Sequence, residues 1–179
     1  SCVGPEEKTG DELPTVILES GAGVSSPVYH WIQVGISKTT KVCVYDRAGL
    51  GWSDPSDLPR DAKTVNTALH TLLEKKGINR PFVFVGHSIA GLYMRDYVER
   101  YPDEVAGLVF LDPSHPKQYQ MIGLSDSQMA EQMESIKTKL FFVKLVMRLG
   151  VLEVFNPLNG GDMSSYPENI RKQTGYLSK

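Results

Sequence analysis

The segment Val85-Gly86-His87-Ser88-Ile89-Ala90-Gly91 constrains the fold more than any other stretch of the chain. It joins an apolar run, Phe82 to Val85, to a helix-like segment that starts near Ile89. A serine at such a strand-to-helix corner has its hydroxyl standing clear of the backbone above a sheet, where a nucleophile belongs. Partners for that hydroxyl are harder to find. The four histidines are His30, His70, His87 and His115, and none follows residue 115.

A chain of 179 residues is long enough for one domain with an inserted subdomain. Nineteen basic against twenty-one acidic residues leave a formal charge of -2, which argues against a nucleic-acid surface. The most apolar region, Leu140 to Phe155, is interrupted by Lys144, Arg148 and Glu153 and falls short of a membrane span. No membrane contact is expected, an interfacial helix over Lys137 to Leu149 being the alternative. No signal peptide opens the sequence as given, which suits a soluble protein, cytoplasmic or secreted with its signal removed. Cys2 and Cys43 make neither a disulfide-rich scaffold nor a metal cluster, and no metal is expected. Cys43 alternates with Val42 and Val44 as a buried free thiol would. A bridge to Cys2 requires the N-terminus to pair beside that strand.

Four segments read as strands: Thr15 to Ser20, Lys41 to Asp46, Pro81 to Gly86, and Ala106 to Leu111. Between them, Pro27 to Gly35, Asp61 to Lys76 and Ser88 to Arg100 read as helices, the second ended by Gly77. This alternation predicts a parallel sheet covered on both faces, with chemistry at the strand ends. After Pro116 the pattern changes. Ser125 and Gln128 suit a helix cap, with Met129 and Met133 on one face. Ile136, Leu140, Val143, Val146 and Met147 suggest another helix, followed by Gly150 and a breaker cluster from Asn156 to Gly161. Five of the six methionines lie beyond residue 120, which suits an apolar pocket wall or ordinary helix packing equally. The expected division is 1–116 as the N-terminal part of an α/β core and 117–179 as a helical cap.

Four stretches together resemble the α/β-hydrolase superfamily, in particular its capped serine esterases. They are Leu18 to Gly23, Tyr45 to Ser53, Gly86 to Gly91, and Tyr101 to Pro113, and the likeness covers residues 15 to 116. Their order and spacing are similar to the family's third to sixth strands. By that resemblance Ser88 is the nucleophile, and the backbone N–H groups of Ile89 and Ala22 form an oxyanion hole. Ala90 stands where the family usually has glycine, a departure of one methyl group that the cramped corner tolerates, and Gly86 keeps the other close approach. Ser20-Gly21 replaces the frequent His-Gly, which leaves the backbone donor in place. Gly21 and Gly23 also suit a merely structural turn. In the loop of Asp46, Arg47, Gly49, Gly51 and Ser53, a paired Asp46 and Arg47 would hold the turn. Trp52 would line the pocket or anchor that loop. His87 takes a position that is usually structural, and Tyr93 and Tyr97 suit helix packing.

A triad needs a base at the serine and a carboxylate that orients it. The family order places the acid after a seventh strand and the histidine after an eighth, neither of which is evident before Lys179. Asp112, after the sixth strand, is the alternative acid, with His115 three residues further on as a local base. The resemblance therefore implies an α/β-hydrolase fold whose C-terminal core is absent from this chain. At least about 80 more residues are expected in the intact protein, on the lengths of the remaining strand–helix units, first as a separate chain of the same protein, with a disordered or an omitted segment as the alternatives. An exposed apolar edge should lie beside the sixth strand. The activity implied is hydrolysis of a carboxylic ester in a small-molecule substrate through an acyl-enzyme, without a cofactor. Amide or peptide hydrolysis and a non-catalytic ligand-binding or regulatory role are the alternatives.

Overall fold

The computed structural model describes residues 1–5, 13–148 and 165–171. The chain divides into two compact units, Ser1–His115 and Pro116–Lys179. The first is built on a sheet of five strands: β1 (Cys2–Val3), β2 (Thr15–Glu19), β3 (Val42–Val44), β4 (Phe82–Ser88) and β5 (Val105–Pro113). Their spatial order is β1-β3-β2-β4-β5. Strands β2 to β5 run parallel, and β1 pairs antiparallel with β3. The chain leaves β2 for β3 on one side and then crosses back to β4 on the other. The loops following β2 and β4 therefore part company at a topological switch point, where crevices form in such sheets.

Side chains alternate between the two faces of each strand, and each face is covered by helix. Ile17, Cys43, Phe82 and Phe84 pack with Leu69 and Leu73 of α2 (Ala62–Lys75) and with Ala90, Met94 and Tyr97 of α3 (Ala90–Arg100). On the other face, Val16, Leu18, Val42, Val44 and Val85 pack with Tyr29 and Ile36. Tyr29 ends a 3-10 turn (Ser26–Tyr29), and Ile36 ends α1 (His30–Ile36). Helix α3 buries positions 90, 94 and 97, the stripe that a 3.6-residue repeat directs at a sheet. Helix α2 starts where the Asp61 carboxylate accepts from Thr64 N at 2.8 Å, and it is followed by Gly77 at φ +59°. The buried carboxylate Glu104 accepts from Tyr97 Oη at 2.8 Å and pairs with Arg80 at 3.0 Å and His70 at 3.2 Å, tying α2 and α3 to the approach of β4.

The structure departs from the sequence expectations at several points. The sheet is mixed, because the N-terminus adds a short antiparallel edge. The Ser1 ammonium donates to Val44 O at 2.9 Å, and Ser1 O accepts from Val44 N at 2.9 Å. This places Cys2 opposite Cys43, and the two form a disulfide. Cys43 is therefore buried but not a free thiol. The first helix is split into a 3-10 turn and α1, with Tyr29 buried while Trp31 and Ile32 are exposed. Strand β5 is the outermost parallel strand, and its Val109, Phe110 and Leu111 are exposed, giving the apolar edge expected there.

The described part of the second unit holds α4 (Gln118–Met121) and α5 (Asp126–Arg148). Ser125 N donates to Gln128 Oε1 at 2.9 Å and Gln128 N to Ser125 Oγ at 3.3 Å, the reciprocal cap that the sequence suggests. One helix covers the two stretches expected as separate helices, since no glycine or proline interrupts residues 126 to 148. The breaker cluster from Asn156 to Gly161 lies outside the described residues. Among the described residues, no helix is long and apolar enough to cross a membrane.

The Cys2–Cys43 bridge closes a loop across a sequence separation of 41. Substituting Cys2→Ser is expected to lower stability by about 2–4 kcal/mol, measured by urea denaturation under non-reducing conditions. An unchanged midpoint would contradict the bridge.

Candidate active site

Strand β4 ends abruptly. Ser88 sits at φ +58°, in the left-handed region that a residue with a Cβ seldom occupies, and α3 begins two residues later. The turn is held from both sides. Ser114 N, just past β5, donates to Ser88 O at 2.7 Å. A Cβ placed on Gly86 would lie 2.8 Å from the Ala90 Cβ and 2.2 Å from Met94 Sδ. One placed on Gly91 would lie 2.6 Å from Pro113 Cβ and 2.7 Å from Ser114 O. The helix thus approaches β4 and β5 too closely for larger residues at 86 and 91, and the alanine at 90 fits. Ser88 is partly exposed at this corner, and Ile89 is the N-cap of α3. The expected helix start at Ser88 moves to Ala90 because the corner itself takes up two residues.

The loop after β2 crosses beside the same corner. Glu19 is in register with Gly86, and a Cβ on Gly21 would lie 3.6 Å from Ser88 Cβ and 3.0 Å from His87 Nδ1. His87 therefore abuts the loop at Gly21. Ala22 is exposed at the loop's tip. Beneath it lies a network that sequence reasoning missed. Glu19, 1% exposed, accepts from the Arg47 guanidinium and from the Tyr45 hydroxyl. Arg47, its side chain 10% exposed, also donates to Ser20 O at 2.6 Å and to Gly21 O. Burial pushes the Glu19 carboxyl upward, while Arg47 and Tyr45 draw it back. Burial and the neighbouring Glu19 raise the Tyr45 phenol well above its ordinary range, so it stays protonated and donating.

Asp46 and Arg47 do not pair with each other, contrary to the sequence expectation. Asp46 turns the other way, accepting from Ser26 N at 2.6 Å and Ser26 Oγ at 3.0 Å. Adjacency in sequence suggested the pair, but neighbouring residues at the end of a strand point to opposite sides. The signal that could have found the real partner is Glu19 itself, a carboxylate closing the apolar run Thr15 to Leu18 and needing a cation if buried.

A cavity of about 400 Å³ lies alongside. Its wall includes Ala22, Arg47, Ile89 and Tyr93, the loop residues Leu50, Leu58 and Pro59, and Val65, Ala68 and Leu72 of α2. Trp52 does not line it among the described residues and is 65% exposed. Asp112 is exposed near the end of β5 at φ +45°, one residue before Pro113, which pairs with Ser88. Among the described residues, no group of acidic, histidine or cysteine side chains could hold a metal ion. The structure thus brings Ser88, Ile89, Gly21, Ala22, His87 and Asp112 to one end of the sheet.

The sequence profile of the alpha/beta hydrolase fold family matches residues 14–145. The chain belongs to that family. YbdG, an uncharacterized protein of Bacillus subtilis (strain 168), is 33% identical over 118 residues, which make up 65% of this chain and 36% of YbdG. The (lyso)-N-acylphosphatidylethanolamine lipase of Homo sapiens is 29% identical over 116 residues, 62% of this chain and 32% of the lipase. Among solved structures, Est816, an N-acyl homoserine lactone degrading enzyme, aligns with a TM-score of 0.61 at 17% identity, over 100% of this chain and 61% of that one. That last likeness shows the fold alone. The chain matches 36% and 32% of the lengths of these two curated relatives.

The close approach at Gly91 makes a direct prediction. Gly91→Ala should cost about 1–3 kcal/mol, since its new methyl meets Pro113 and a main-chain oxygen that have little room to move. Urea denaturation measures the cost, and a neutral substitution would contradict the packing described.

Proposed function

We propose that the protein is a serine hydrolase that cleaves a carboxylic ester in a small organic substrate through an acyl-enzyme. One observation carries the reading: Ser88 at φ +58°, on the corner between a parallel strand and the helix opened by Ile89, beside the loop bearing Ala22. Ser88 Oγ attacks the carbonyl carbon and gives up its proton to a base. The oxyanion is received by the Ile89 and Ala22 N–H groups. The base then protonates the departing alkoxide, and water, activated by the same base, releases the acid and frees Ser88. The relative named as a lipase supports an oxygen ester as the substrate.

The base is a histidine outside the described site, supplied by further polypeptide of the same protein, as a separate chain or as a continuation. The exposed apolar edge of β5 supports this, since such an edge is ordinarily covered. The acid that orients that histidine comes from the same further polypeptide, Asp112 at the strand end beside Ser88 being the alternative among the described residues. Residues 1–116 act as the N-terminal part of the catalytic core and 117–179 as its helical cap. The chemistry as written needs no cofactor.

Ser88→Ala should lower turnover of a p-nitrophenyl ester by at least about 10³-fold, since the nucleophile itself is lost. The circular dichroism and urea midpoint of the variant should match those of the parent. Turnover that survives in the purified variant would defeat the reading.

A further inference from the structure

We propose that Arg47 is a positioning residue for the reaction: anchored by Glu19 and Tyr45, it sets the plane of the Gly21–Ala22 peptide and so aims the Ala22 amide. This inference rests on the ester-hydrolase reading and deepens it by naming what holds one of the two oxyanion donors.

Three acceptors on consecutive residues converge on one guanidinium. Arg47 Nη1 donates to Glu19 Oε1 and to Ser20 O at 2.6 Å, and Nη2 donates to Gly21 O. In a trans peptide the carbonyl and the following N–H point in opposite directions. Holding Gly21 O therefore turns the Ala22 N–H away from the guanidinium, and holding Ser20 O does the same for the Gly21 N–H. Gly21 is a residue with wide backbone freedom; its carbonyl also accepts a long bond from Val24 N at 3.4 Å, so the guanidinium is the tighter grip on the donor peptide. The guanidinium also lies 5.3 Å from the centre of the Tyr93 ring on α3, the helix that follows Ile89. One rigid fork thus references both donor-bearing segments to the same point.

A role in folding alone accounts for the network less well. A buried ion pair contributes little net stability compared with apolar residues of similar volume, because both charges must be stripped of water. The planar fork also matters. A lysine ammonium is a single point charge and does not reproduce contacts spread over two terminal nitrogens. The Tyr45 hydroxyl occupies Glu19 Oε2, which leaves Oε1 to fix the guanidinium.

The test compares an oxygen ester with the thiono ester of the same acid. Sulfur is a poor acceptor, so an ordered oxyanion hole favours the oxygen substrate, whereas general loosening slows both alike. In Arg47→Lys, kcat for the oxygen ester should fall about 10- to 100-fold, less than the loss of a whole donor, with KM within about threefold. The oxygen-to-thiono ratio of kcat/KM should narrow by about tenfold or more. Tyr45→Phe, which keeps the ring and removes only the hydroxyl, should move the ratio in the same direction by less, and it carries the comparison if Arg47→Lys does not fold. A folded variant that leaves the ratio unchanged would overturn the positioning role. Ester turnover that does not depend on Ser88 would instead overturn the hydrolase reading, so the two failures are told apart.

Discussion

The backbone conformation at Ser88 is the constraint on which the rest of the site depends. A residue with a side chain is held at φ +58° only where its surroundings leave no alternative. Here those surroundings are the hydrogen bond from Ser114 N to Ser88 O and the close seating of α3 against the ends of β4 and β5. That seating requires the missing side chains of Gly86 and Gly91 and the small one of Ala90. The strain is offset by burial elsewhere on the same helix, where Met94 and Tyr97 are almost fully enclosed against the sheet. A serine is thereby presented at the end of an interior strand by rigid elements rather than by a mobile loop.

The second feature of the site is the charge buried beneath the neighbouring loop. A carboxylate 1% exposed at the end of β2 is costly unless it is both paired and hydrogen-bonded, and Arg47 and Tyr45 do both. Arg47 is shared between that carboxylate and two main-chain oxygens of the loop. The loop is therefore ordered by electrostatics from below, while the corner at Ser88 is ordered by packing. In the proposed mechanism each device prepares one donor of the oxyanion hole, so that neither has to reorganise as charge develops.

Much of the core was legible from residue pattern. The apolar runs from Thr15, Val42 and Phe82 are bounded by glycine, proline and charged residues, and the helices between them carry their apolar stripe at helical spacing. Ser88 and the glycines around it were legible because a tight corner demands small residues at fixed offsets. What escaped depended on contacts remote in sequence. Strand β1 is two residues long, too short to show any period, and its bridge to Cys43 follows from a pairing that no local signal announces. Glu19 reads as an ordinary strand-end carboxylate until its burial is seen, and Arg47 was matched to Asp46 because the two are adjacent. The proton acceptor for Ser88 was the least legible part, since none of His30, His70, His87 and His115 stands where the family resemblance places the base.

The most direct test is the structure of the protein after reaction with a serine-directed alkyl phosphonate. The account predicts a single covalent adduct on Ser88, with the phosphoryl oxygen about 2.7–3.1 Å from both the Ala22 and the Ile89 nitrogens. An adduct on another residue, no adduct at all, or a phosphoryl oxygen turned away from those two amides would contradict it.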